Sequence, residues 1–349
     1  MIPFLSQRSR TPATPRNPVY LIPIEIWDVI LDLACDPRGL TAAAISRVSR
    51  YFNNAIKPRR LSSLVIYGES QIVAFHRAMK VMPLDVPRAN HLYIGLIPDS
   101  YARGAHQVCH SVIDGWIQDL EETQDQRDRR ISQHSKLSTF GPHPGHYVHI
   151  QWDDVGGIIS HHRETLQTLT YLTTGSVITP DVFGWLPRLK DLTIVCLRYK
   201  SMFRHVGINH PLHQTTQFPI LERLHLSYFN TKPLFDHDEF RRVAPKLTHF
   251  RISGRKCYLK YEKLPLRTKI LIQPILLSSQ EQEPQLRHLR EILSVPSYEK
   301  RTVLLEPGHR EDQRYGFFDA LLDWLDVSAG GSSFWGRGNE VTVNDLAAR

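Results

Sequence analysis

One six-residue phrase constrains this chain more than any other feature: apolar residues at its first, fourth and sixth positions, repeated along the middle of the sequence. The clearest copies are Leu189-x-x-Leu192-x-Ile194, Leu221-x-x-Leu224-x-Leu226 and Leu247-x-x-Phe250-x-Ile252. Each follows a proline two residues upstream, Pro187, Pro219 or Pro245. Weaker copies start at Leu61, Ala89 and Leu166, and a marginal one at Arg267. The last two apolar residues of every copy are two apart, which points both to one side of a strand. Helical turns fit between copies at Gln71–Met82, Asp153–His162 and Asp236–Val243. The long interval before Leu166 holds an apolar-patterned stretch, Val108–Leu120, and a charged one, Glu121–His134, expected to be an exposed loop.

The steps between starts are uneven, 23 residues from Leu166 to Leu189 but 32 from Leu189 to Leu221. Phrase and spacing resemble leucine-rich repeats, in which a strand and a helix or loop build each coil of a solenoid. The Asn or Cys ladder that usually follows such strands is missing, since Leu197, Phe229 and Arg255 stand there. The expectation is therefore an irregular, degenerate leucine-rich-repeat-like solenoid over 61–305, with an ordinary α/β domain as the plain alternative. An amphipathic helix follows, carrying Phe317, Phe318, Leu321, Leu322, Trp324 and Leu325 and stopping before Gly330-Gly331. It is expected to cap the open end of the last repeat within a terminal unit, 306–349, that finishes in a flexible tail.

Solenoids bind through the outward residues of their strands. The outward set in this register is His91 and Tyr93, Thr168 and Thr170, Asp191 and Thr193, Arg223 and His225, His249 and Arg251, and Lys269. Arg223, His225, His249, Arg251 and Lys269 are expected to form one basic strip for a target. Such a strip suits an acidic or phosphorylated segment, because arginine grips carboxylate or phosphate through paired hydrogen bonds.

Ahead of the repeats, residues 19–60 read as three short helices. Pro23 suits a first helical turn, and Glu25, Asp28 and Asp32 make one narrow charged stripe. Ile24, Ile26, Trp27, Val29, Ile30, Leu31 and Leu33 fill the rest of the circumference, so this helix needs cover that some forty residues supply poorly. Thr41 suits the cap of a second helix, and a third carries Phe52 and Ile56 up to Pro58. The opening Leu21-Ile22-Pro23-Ile24-Glu25-Ile26 and the closing Val48-Ser49-Arg50-Tyr51-Phe52 resemble the F-box. The whole layout is similar to the F-box families of mushroom-forming fungi. That resemblance implies docking on the Skp-type adaptor of a cullin ligase, with Pro23, Ile26, Ile30 and Leu31 as adaptor contacts. The alternative is a helical cap buried on a larger domain.

With 41% hydrophobic residues in 349, the chain can fill a core. No apolar run is long enough for a membrane span, and residues 1–18 read as a disordered leader. Cys35, Cys109, Cys196 and Cys257 lie far apart, which fits reduced thiols in the cytoplasm or nucleus. The net charge of +8 permits acidic partners, but no nucleic-acid-binding signature accompanies it.

Residues with catalytic potential do not assemble into a motif. His143, His146 and His149 stand among prolines and glycines, and neither they nor His161-His162 show metal-ligand spacing. Nucleophile elbows, phosphate loops and dinucleotide fingerprints are missing, and Asp153-Asp154 diverge on a helix. No catalytic residue, cofactor or metal is expected. The resemblance implies a substrate-recognition subunit of a Skp–cullin–F-box ubiquitin ligase, joining adaptor to protein target. A repeat-based interaction scaffold without any ligase link is the alternative.

Overall fold

In a computed structural model the chain is an α/β protein built on one eight-stranded, all-parallel sheet in the order β1 to β8. The structure describes residues 22–34, 44–60, 62–82, 88–97, 99, 152–173, 183–196, 218–228, 242–254, 264, 267–274, 279–296, 300–305, 317–328, 335 and 340–347. The strands are β1 (Ser63–Tyr67), β2 (His91–Leu96), β3 (Thr168–Thr173), β4 (Asp191–Cys196), β5 (Arg223–Tyr228), β6 (His249–Gly254), β7 (Lys269–Pro274) and β8 (Thr302–Leu304). The helices are α1 (Ile24–Ala34), α2 (Arg50–Arg60), α3 (Glu69–Val81), α4 (Trp152–His162), α5 (Ser279–Ser294), α6 (Phe317–Ser328) and α7 (Val343–Ala347).

Each of the seven repeated phrases becomes a strand, β1 to β7, and the prolines account for their alignment. Pro187, Pro219 and Pro245 each occupy the second position of a turn, closed by the amide of Leu189, Leu221 or Leu247 on the carbonyl of Leu186, Phe218 or Ala244. Proline suits that position because its φ is already set. One residue further on, each chain hooks its neighbour: Lys190 to Gln167, Glu222 to Lys190 and Thr248 to Glu222. The strands consequently pair without a slip, Leu192 beside Leu224 beside Phe250 beside Ile270.

On the inner face, Leu92, Leu169, Leu192, Leu224, Phe250 and Ile270 stack in one row and Ile94, Tyr171, Ile194, Leu226, Ile252 and Ile272 in the next. All belong to one core, together with Ile72 and Met79 of α3, Val155, Ile158 and Ile159 of α4, Leu286, Leu289 and Ile292 of α5 and Leu346 of α7. α3 and α4 pack on each other, where His76 Nδ1 and Asp154 Oδ1 lie 2.6 Å apart. At Gly157 of α4 a Cβ atom would overlap the His76 ring, so glycine permits this close approach. Also from α4, His162 accepts a hydrogen bond at Nδ1 from the Ala89 amide, 2.9 Å away. Burial, with His161 and Arg88 nearby, lowers its pKa from the ordinary 6.5 to about 4.

Four expectations are corrected. A three-helix F-box-like module at the N-terminus is not evident among the described residues. α1 and α2 pack on each other, and of the described residues between them Ala44–Ser46 are helical. Instead of stopping at Pro58, α2 runs to Arg60. The irregular solenoid gives way to a continuous, slip-free sheet. A solenoid leaves its strand face open, whereas α6 lies across β2, β3 and β4 and makes a third layer there. For the same reason α6 is no end cap: Ala320, Leu321, Trp324 and Leu325 bury against Tyr93, Leu172 and Val195 on the sheet face. The sheet's last strand is β8, which the repeated phrase does not cover, and α7 packs on α5 beside it. The leader, the stretches Val108–Leu120 and Glu121–His134, most of Asp236–Val243 and the His143 cluster lie outside the described residues.

Candidate binding surfaces

Two places on the molecule carry chemistry that a partner can use. The first is α1, whose start follows Pro23, its carbonyl accepting the Ile26 and Trp27 amides. Ser49 caps α2 by accepting the Phe52 amide, and the Trp27 and Phe52 rings meet edge to face at 4.8 Å. Leu31 is 1% exposed and packs with Ile56, so it holds the helix pair together and is not available as an adaptor contact. Pro23 is exposed, and Ile26 and Ile30 are 51% and 39% exposed. Val29, 56% exposed, joins them, because positions three and four apart share a helix face. Val48 is exposed as well.

The second place is the outer face of the sheet. Its first row runs His91, Thr168, Asp191, Arg223, His249 and Lys269, and its second Tyr93, Thr170, Thr193, His225, Arg251 and Leu271. The register thus places the expected basic residues side by side, but they are not an open strip. His225 and Arg251 are 2% and 1% exposed. Arg223 is already engaged, gripping the Asp191 carboxylate through Nε and through Nη2 at 2.7 Å. His249 is half-buried and lies beside the Trp335 ring, while Lys269 is exposed. From Tyr93 to Arg251 the second row lies under α6 and Trp335, which come from the far end of the chain.

Burying an arginine is tolerable only with hydrogen bonds to its charge. Arg251 Nη2 donates to Gln273 Oε1 at 2.8 Å, and Ser253 Oγ reaches the same oxygen at 3.2 Å. His225 Nε2 lies 3.0 Å from Ser253 Oγ, which links β5, β6 and β7 through one polar network. Burial, reinforced by Arg251, pushes the His225 pKa well below the ordinary value, so it is held neutral. Desolvation also lowers His249 and His91. Asp191 is raised instead, burial outweighing the pull of Arg223.

Between the sheet and its cover a small cavity remains, lined by Thr170, Thr193, His225 and Arg251 below and by Asp323, Trp324 and Trp335 above. Tyr93 meets Trp324 edge to face at 6.2 Å, and Trp335 meets His225 at 6.3 Å. The buried Trp324 Nε1 has no hydrogen-bond partner among the described residues. Sequence reasoning missed Asp323, Trp324 and Trp335 as parts of this face. The helical pattern locates Trp324 on an apolar stripe, but nothing local says which surface that stripe covers.

Among the described residues no helix is long and apolar enough to cross a membrane, and no three His, Cys, Asp or Glu side chains come together as a cation site. Comparison with family models, curated proteins and solved structures finds no match to the chain.

Proposed function

We propose that this chain is the substrate-recognition subunit of a Skp–cullin–F-box ubiquitin ligase. The observation that carries the reading is the stripe Ile26, Val29 and Ile30 on α1, exposed while Leu31 of the same helix is plugged into α2. Exposed apolar residues grouped on one face mark protein-interaction sites. The Leu21-Ile22-Pro23-Ile24-Glu25 phrase around them resembles the F-box, and that resemblance implies a Skp-type adaptor as the partner. Pro23, Ile26, Val29 and Ile30 would make that contact. The target, an acidic or phosphorylated protein, would meet the sheet's outer face near Arg223, His249 and Lys269. The chain performs no bond-making of its own. It raises the effective concentration of target lysines at the transferring enzyme. The four separated cysteines fit a reducing setting, cytoplasm or nucleus.

The test is co-purification of the full chain with a Skp-type adaptor and cullin. Ile26→Asp with Ile30→Asp should abolish it, because a carboxylate in an apolar interface is left without compensation. Adaptor binding that survives this double substitution overturns the assignment. No adaptor binding by the unaltered chain favours the interaction scaffold without a ligase link.

A further inference from the structure

The cover over the outer face has the chemistry that the face itself selects. α6 is an amphipathic helix, Phe-Phe-Asp-Ala-Leu-Leu-Asp-Trp-Leu-Asp-Val-Ser, with three aspartates and no lysine or arginine. Its apolar side, Ala320, Leu321, Trp324 and Leu325, sits on Tyr93, Leu172 and Val195. Its acidic residue Asp323 lines the cavity that also holds Arg251 and His225. The outer face of β2–β4 carries the apolar Tyr93, Leu172 and Val195 among threonines and Asp191, whereas β5 and β6 carry only polar and basic residues there, among them Arg223, His225, His249 and Arg251. An apolar helix with acidic residues beside its stripe matches both halves.

The fit of α6 is nevertheless incomplete. The cavity, which Trp324 lines, persists beneath it, and the buried Trp324 indole N–H has no acceptor among the described residues. Buried donors in settled cores are nearly always satisfied. A competing helix that fills the cavity, or places an acceptor in it, gains what α6 forgoes.

We infer that the outer face of β2–β6 is the docking seat for an acidic amphipathic helix of the target, and that α6 with Trp335 occupies it as an intramolecular placeholder which the target displaces. The inference rests on the target-binding half of the proposed function and is independent of the adaptor. Ligands shift such an equilibrium only by binding the open form better than the closed one. The apparent affinity of a target is therefore reduced by the fraction of time the seat is covered.

The probe is a fluorescently labelled synthetic peptide spanning residues 317–335, titrated into the full chain and into a full-chain Leu321→Asp/Leu325→Asp variant. The variant, with its own cover weakened, should bind the peptide at least tenfold more tightly. A peptide with Asp319, Asp323 and Asp326 all changed to Asn should bind it at least tenfold more weakly than the native peptide. Equal affinity of the peptide for both proteins, or binding to neither, overturns the placeholder. Insensitivity to the three aspartates overturns the acidic class of partner.

Should the variant not fold, hydrogen exchange on the unaltered full chain decides. The amides of α6 should exchange at least a hundredfold faster than those of β3–β5, reporting local release. Exchange of α6 at the rate of the strands overturns the inference. None of these measurements involves the adaptor, so their failure and the loss of adaptor co-purification are read separately.

Discussion

The two faces of the sheet differ in chemistry although they alternate along the same strands. The inner face repeats one solution on seven strands, β1 to β7. Rows of leucine, isoleucine and one or two aromatics are closed over by α3, α4, α5 and α7. The outer face changes character from strand to strand, Tyr93 to Thr170 to Thr193 to His225 to Arg251. Uniform apolar rows supply non-directional burial energy. A row that mixes hydroxyl, imidazole and guanidinium can be buried only where each group finds a partner, so it supplies selectivity at some expense of stability. The inner face holds the fold and the outer face is where a partner would be distinguished.

The largest expected effect tests the inner face. Leu224→Ala removes buried methyl groups from the middle of the sheet, and should lower the unfolding free energy by about 2–5 kcal/mol in urea denaturation. Thr193→Ala, at a half-buried place on the outer face, should cost clearly less. Equal losses would mean that the two faces share the energetic burden.

Acidification separates the faces next. The folded pKa of His162, about 4, is below the ordinary 6.5, so its contribution is fully present above pH 6.5 and is lost as the pH falls toward 4. Each pH unit in that window removes about 1.4 kcal/mol. At pH 5 the loss attributable to His162 should be about 2 kcal/mol. His162→Gln keeps an acceptor for the Ala89 amide and should flatten the acid limb of stability. An unchanged limb would move the acid sensitivity to the outer-face histidines, His225 first.

The smallest effect belongs to the cover. Trp335 is only partly buried, so Trp335→Ala should cost about 1 kcal/mol or less, well below the range for a core tryptophan. Its removal rehydrates His249 and His225, whose pKa values desolvation depresses. Both should rise toward 6.5 when followed by NMR titration. Unmoved titrations would show that Trp335 does not seal the outer face.

Much of the architecture was legible because it is written in short-range pattern. The phrases starting at Leu61, Ala89, Leu166, Leu189, Leu221, Leu247 and Arg267 each became a strand in the anticipated register. Period-two alternation is a local property, and prolines at fixed offsets set local turns. Of α3 and α4, the expected ends lie within two residues of those found. The three-residue strand β8 escaped notice because Thr302-Val303-Leu304 is too short to show a period. The N-terminal helices were read as three from turn and cap signals, and among the described residues α1 and α2 pack as a pair.

By itself, then, the sequence determined which residues alternate, which share a face and where the chain turns, since each depends on neighbours a few positions away. It placed Arg223, His225, His249, Arg251 and Lys269 on one side of the sheet. Whether that side is open was decided only by tertiary structure. α6 and Trp335 lie over strands from far earlier in the chain, and beneath that cover His225 is neutral and buried while Arg251 bonds Gln273. The apolar stripe of α6 specifies that it must be covered, not by what, because hydrophobic burial is indifferent to direction.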